Sequence, residues 1–110
     1  MAYDEDLANR IRELIAADTV TEQKMFGGLA FLIGGNMAVA ASSEGGLLLR
    51  VPPDETEALA ARPHARRFEM RGREMQGWLR VDADGVRTKR RLEPWVRRGV
   101  DHARSLPSKR

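Results

Sequence analysis

The stretch of residues 24–51 constrains the fold of this chain more than any other, because it holds three apolar runs of strand length in close succession. The runs are residues 29–33, 37–41 and 47–51. Gly-Gly-Asn separates the first run from the second, and Ser-Ser-Glu-Gly-Gly separates the second from the third. Since glycine and asparagine accept the positive φ that tight turns require, the pattern predicts an antiparallel meander.

A helix is predicted before the meander. Asp4 is a typical helix N-cap, and apolar residues at helical spacing follow it, so the first helix is expected to end near Asp18. Residues 19–26 then change toward the period of a strand. Gly27 and Gly28 are expected to form a bend or bulge, and at least one of them is expected to have a conformation or close approach that a Cβ would disturb. A phosphate-binding loop is disfavoured there, because no Gly-x-Gly-x-x-Gly pattern and no helix start accompany them.

The second half of the chain predicts one short helix and two more strands. Two prolines end the third apolar run. The acidic residues that follow, at the start of residues 54–61, are typical of a helix N-terminus capped by side chains, so a short helix is predicted over residues 54–61. Residues 66–70 and 75–81 have the pattern of strands, with Trp78 and Arg80 on the same face.

The last predicted element is an amphipathic helix over residues 88–105. Because a proline is well tolerated only in the first turn, Pro94 predicts that the regular helix begins near Leu92 or Glu93. Trp95 lies in the apolar stripe and is expected to pack on the sheet.

The order α-β-β-β-(β)-α-β-β-α predicts an α+β fold in which helices cover one face of a mainly antiparallel sheet. With 110 residues and 42% hydrophobic residues, the chain is expected to form one domain over residues 1–110, frayed at 106–110. It has no apolar run near the ~18 residues of a membrane span, and its start is acidic, so a cytoplasmic location is expected.

Nothing in the sequence forms a catalytic or metal-binding constellation. The chain has no cysteine, and its two histidines, His64 and His102, have no neighbours at a metal-ligand spacing. No serine lies in a Gly-x-Ser-x-Gly elbow. We therefore expect no enzymatic activity, no cofactor and no metal.

Charge is distributed unevenly along the chain. Residues 1–61 carry 4 basic and 10 acidic side chains, a balance of −6, whereas residues 62–110 carry 15 basic and 6 acidic ones, a balance of +9. If the fold gathers these basic residues on one side, they form a surface for phosphate backbones or acidic partners. The alternative is that they are scattered, solvated arginines.

Several short motifs follow one another along the chain, and they consist of Met25, Phe26, Gly27, Gly28, Gly35, Met37, Met75, Leu92 and Trp95. In this order, and over about residues 5–106, they resemble the motifs of the TfoX/Sxy amino-terminal domain family. The resemblance implies an α+β domain without catalytic activity. It also implies a regulatory role, since members of this family are associated with natural competence and act with a cyclic-AMP-responsive transcription factor. Longer members have a second, carboxy-terminal domain that these 110 residues do not include.

Two functional hypotheses follow. The first is a nucleic-acid-associated regulator that binds through basic residues and one aromatic residue. The candidate residues are Arg66, Arg67, Arg71, Arg73, Trp78, Arg80, Lys89, Arg90, Arg91, Arg97 and Arg98. The second is a protein-interaction adaptor that uses its acidic half or a sheet edge, with no nucleic-acid contact. The candidate partners are nucleic acid and a transcription-factor-like protein. The chain is expected to be a monomer or a weak homodimer.

Overall fold

A computed structural model describes residues 3–16, 20–25, 28–70 and 72–107, and it confirms the predicted α+β class. Its elements, in chain order, are α1 (Glu5–Leu14), β1 (Val20–Met25), β2 (Gly28–Ile33), β3 (Asn36–Ala41), β4 (Leu47–Arg50), a 3₁₀ helix (Pro53–Glu55), α2 (Thr56–Ala60), β5 (Ala65–Met70), β6 (Arg73–Val81), a second 3₁₀ helix (Ala83–Val86) and α3 (Lys89–Ser105). Within the described residues, no helix combines the length and apolar character that a membrane crossing needs.

The strands form one antiparallel sheet in the order β1-β2-β3-β4-β6-β5, which confirms the predicted meander. A two-residue turn joins β2 to β3, and both of its residues, Gly34 and Gly35, have positive φ (61° and 81°). Such a turn matches the twist of the flanking strands and favours glycine at both positions. β5 is the last strand of the sheet because β6 returns beside β4.

The main core lies between the sheet and the helices. Phe31, Val39 and Leu49 project from neighbouring strands and are fully buried. Ile11 of α1 and Leu92 of α3 belong to the same cluster and are also fully buried. Trp95 is 8% exposed in this cluster, so its predicted packing on the sheet is confirmed.

Two glycines allow backbones to approach closely. A Cβ on Gly28 would lie 2.1 Å from the carbonyl oxygen of Ala41, which confirms the predicted close approach at this glycine. Gly27 and Phe26 lie outside the described residues. A Cβ on Gly99 of α3 would lie 2.4 Å from the carbonyl oxygen of Ala38.

The predicted end of α1 and the predicted starts of α2 and α3 were wrong. α1 ends at Leu14, not near Asp18, because the backbone of Ile15 leaves the helical region (φ −112°, ψ 20°). A 3₁₀ turn precedes α2, and neither of these helices has a side-chain N-cap. The hydroxyl of Thr56 instead accepts the Gly77 amide at 2.9 Å, which ties α2 to β6.

α3 also begins earlier than predicted. It starts at Lys89, because the hydroxyl of Thr88 caps it by accepting the Arg91 amide at 3.2 Å. Pro94 therefore lies in the second turn, where it removes the N–H that would reach the carbonyl of Arg90. The packing of the apolar stripe beyond Pro94 holds the helix continuous despite this missing bond.

Candidate functional site

Carboxylates already neutralise three of the candidate arginines of β5 and β6. Arg66 pairs with Asp82 at 3.2 Å. Arg67 lies 3.6 Å from a carboxylate oxygen of both Glu57 and Glu74. Arg80, whose side chain is only 13% exposed, lies 3.5 Å from Glu44 and donates hydrogen bonds to Ser42 and the Gly45 carbonyl. Three arginines thus meet four carboxylates, which leaves little charge for a phosphate.

Trp78 lies on the face of the sheet opposite the helices, as the strand pattern predicted. The guanidinium carbon of Arg50 lies 5.6 Å from the centre of its ring, and the Phe68 ring centre lies 6.5 Å away. Arg50 is a contact that the sequence did not suggest, because the two residues meet only through the pairing of β4 with β6.

The candidate residues of α3 differ in how far their charge is neutralised. Arg97 pairs with Glu93 at 2.9 Å, one turn earlier. Arg98 lies 3.9 Å from Glu55, beyond hydrogen-bonding distance. Lys89 and Arg90 are exposed and form no ion pair with any described residue.

The first half of α3 lines a shallow groove of about 390 Å³, which we call the arginine groove. Its lining consists of Arg62, Pro63, His64, Gly85, Arg90, Arg91, Pro94, Trp95 and Arg98. Four of these residues are arginines, and none is a carboxylate. The groove therefore concentrates positive charge.

A tight turn places Arg62 beside α3. The Ala65 amide donates to the Arg62 carbonyl at 3.1 Å, and His64 has a φ of 67° after Pro63, the signature of a type II turn. This φ is unusual for a residue other than glycine, so its surroundings must hold it. They do so in two ways. The Asp82 amide donates to the His64 carbonyl at 2.8 Å, and only a glycine fits at position 85 beneath the His64 side chain.

Hydrogen bonds fix the other wall of the groove. Arg91 donates to the carbonyl of Asp84 at 3.0 Å. Arg10 of α1 donates to the carbonyls of Val86 and Arg87 at 2.9 and 2.8 Å, which holds the segment before α3 in place. The backbone that carries the arginines is thus organised before any ligand arrives.

The fold divides the predicted basic set. Of the predicted basic residues, Arg90, Arg91 and Arg98 line the arginine groove, and Lys89 lies next to it on α3. Arg66, Arg67 and Arg80 belong to the β5–β6 ion pairs. Arg73 is exposed at the start of β6, and Arg71 lies outside the described residues.

Sequence reasoning missed Arg62 and His64. The available signal was the Arg-Pro-His segment directly before a predicted strand. Proline favours the second position of a tight turn, so the residues on either side of Pro63 are expected on the surface.

Two titratable groups outside the groove have shifted pKa values. Burial, and next the charge of Arg50, lowers the pKa of His102, which lies away from the groove on α3. The hydrogen bond from Arg12 lowers the pKa of Glu22 and ties α1 to β1. Across the described ranges, no three histidine, aspartate or glutamate residues lie close enough to hold a metal ion. What the arginine groove can do chemically is bind anions.

The model of the TfoX N-terminal domain family matches residues 12–103, which is most of the chain. The chain belongs to the TfoX N-terminal domain family. This family is of a regulatory, competence-related type and is not a known family of enzymes. The match confirms the resemblance predicted from the motifs. No curated protein matches the chain. Among the residues that carry the resemblance to this TfoX N-terminal domain family, Trp95 lines the arginine groove, and it is only 8% exposed there.

Proposed function

We propose that this chain is a non-enzymatic regulatory domain that contacts the phosphate backbone of nucleic acid through the arginine groove. The observation that carries the proposal is the composition of the groove, which has four arginines and no carboxylate in its lining. Guanidinium groups form strong, charge-assisted hydrogen bonds to phosphate, and binding of this kind is driven by the release of counterions.

Charge balance favours this surface over β5 and β6. An arginine that already pairs with a carboxylate must give up that pair, or share it, before it can neutralise a phosphate. Arg62 and Arg90 are exposed and have no ion pair with any described residue, so they keep their full charge for a ligand. Because phosphate contacts carry little sequence information, we expect weak discrimination between sequences.

The test is fluorescence anisotropy with duplex DNA, single-stranded DNA and RNA between 50 and 200 mM salt. If about four phosphates of duplex DNA are neutralised, the logarithm of the affinity falls with a slope near −3.6 against the logarithm of the salt concentration, roughly a hundredfold over this range. The double variant Arg62→Gln/Arg90→Gln removes two of the contacts and should bring the slope to about −1.8.

The matched control is Lys24→Gln/Arg73→Gln. It removes the same two charges from exposed positions on β1 and β6, and the structure gives neither side chain an ion pair with a described residue. This control should leave the slope unchanged. If the control flattens the salt slope as much as the groove variant or more, nucleic acid contacts a surface other than the arginine groove. If the folded wild type binds no nucleic acid at 50 mM salt, the nucleic-acid proposal fails and the adaptor hypothesis remains.

A further inference from the structure

The first half of α3 forms a ridge between two concavities. The arginine groove lies on one side of it. A second, more open concavity lies on the other side and is lined by α3 alone, with Lys89, Arg90, Glu93, Pro94 and Arg97. Arg90 and Pro94 line both concavities and are exposed, so they form the crest of the ridge. We call residues 89–98 the α3 ridge.

Both sides of the α3 ridge are basic. Arg62, Arg91 and Arg98 lie on the side of the arginine groove. Lys89 and Arg97 lie on the other side. The two linings together hold 6 basic residues and 1 acidic residue, a balance of +5. Positive charge therefore extends across the crest from one side of the ridge to the other.

We propose that the α3 ridge enters the major groove of B-form duplex DNA, with its crest toward the bases and its two basic sides against the two phosphate backbones. This inference rests on the proposed contact with nucleic acid, and it names the form of nucleic acid that the surface fits.

The dimensions of the ridge suit this groove. The major groove of B-form DNA is about 12 Å wide and about 8.5 Å deep, and it lies between the two phosphate backbones. An α-helix with its side chains is about 10–12 Å across, so the groove admits it. Residues 89–98 extend about 15 Å along the helix axis, at about 1.5 Å per residue. The ridge is thus long enough to place cations beside both backbones.

Duplex RNA does not fit the ridge in this way. The major groove of A-form RNA is deep and narrow, and side chains do not reach its floor. A duplex of RNA carries as many phosphates as a duplex of DNA of the same length. The shape of the groove, and not the charge of the backbone, therefore separates the two ligands.

Single-stranded nucleic acid is a poorer ligand because its binding depends on exposed aromatic rings on which successive bases stack. Trp95 is only 8% exposed in the arginine groove. Trp78 and Phe68 pack together on the opposite face of the sheet. His64 contributes an exposed ring to the lining of the groove, but one imidazole does not form a platform for several bases.

The ridge offers few hydrogen-bond donors to the edges of the bases. The side chain of Pro94 has no donor, and Glu93 already accepts from Arg97 at 2.9 Å. Arg90 is the crest cation that no described carboxylate holds. Recognition should therefore depend on the form of the duplex more than on its sequence.

The experiment compares four labelled ligands of equal length by fluorescence anisotropy: duplex DNA, the same duplex in RNA, single-stranded DNA, and duplex DNA with glucosylated 5-hydroxymethylcytosine in place of cytosine. The glucose of the last ligand fills the major groove but leaves every phosphate in place. Duplex DNA should bind about tenfold more tightly than each of the other three at 50 mM salt. Duplex RNA can meet only one side of the ridge, so its salt slope should be about half that of duplex DNA.

A variant of the second side tests whether both backbones are contacted. Lys89→Gln/Arg97→Gln removes two exposed charges that lie outside the arginine groove, and it should flatten the salt slope for duplex DNA from about −3.6 to about −1.8. The matched control is again Lys24→Gln/Arg73→Gln, which should keep the wild-type slope. Circular dichroism and thermal melting establish that both variants are folded.

Four results would overturn the proposal while leaving the proposed function intact. They are equal affinities for duplex DNA and duplex RNA, tightest binding to the single strand, an unchanged affinity for the glucosylated duplex, or a wild-type salt slope in Lys89→Gln/Arg97→Gln. In each of these cases nucleic acid still binds, but the ridge does not lie in the major groove. If the folded wild type binds none of the four ligands, both this proposal and the proposed function fail.

Discussion

Replacing Gly99 by alanine should destabilise the domain, although the same change stabilises most helices. In a helix interior the substitution gains about 1 kcal/mol from helix propensity. At this position, however, the new Cβ would lie 2.4 Å from the Ala38 carbonyl oxygen and 2.8 Å from Cγ1 of Val39, whereas ordinary contacts begin at 3.4 Å. α3 and β3 would have to separate by about 1 Å, and overpacking of this kind costs about 1–3 kcal/mol.

The cost should be near its upper limit, because the obstacle is backbone that cannot move freely. Ala38 is the extra residue of a β-bulge between β2 and β3, in the middle of the sheet. We expect a net loss of about 2 kcal/mol in the free energy of unfolding, or about 8 °C in Tm for a domain of this size. Urea denaturation at 25 °C and calorimetry measure these two quantities.

Asp101→Ala is the control, since it changes an exposed position of the same helix and gains propensity, at most about 0.7 kcal/mol, without a packing cost. If Gly99→Ala raised the stability as much as the control, the close approach of α3 to β3 would not constrain this residue, and the reasoning would be refuted.

Three further predictions concern stability. Trp95→Ala should lower the free energy of unfolding by about 3–5 kcal/mol in urea denaturation, because it removes a buried aromatic side chain and leaves a cavity; a loss under about 1 kcal/mol would contradict its placement. Gly28→Ala should lower Tm without changing nucleic-acid affinity, since its Cβ would meet the Ala41 carbonyl. Because the pKa of His102 is lowered in the folded state, the unfolded chain takes up a proton at this histidine first as the pH falls below about 6.5. The free energy of unfolding should therefore decrease below that pH. His102→Gln should reduce this decrease, as measured by urea denaturation at several pH values.

The sheet was predictable because its signals are local. The apolar runs of β2, β3 and β4 and the glycine turns between them specify strands and reversals within a few residues of chain. The start of α3 was not predictable in this way. Pro94 alone predicts a helix start near Leu92. The Thr88 cap and the packing of Leu92 and Trp95 instead begin the helix three residues earlier, at Lys89.

The candidate site was only partly predictable because charge pairing depends on tertiary structure. Arg66 and Asp82 are 16 residues apart and meet because β5 and β6 pair in a particular register. The same register brings the turn with Arg62 against the start of α3. Counting basic residues along the chain therefore identified a basic half but could not tell a neutralised arginine from an available one.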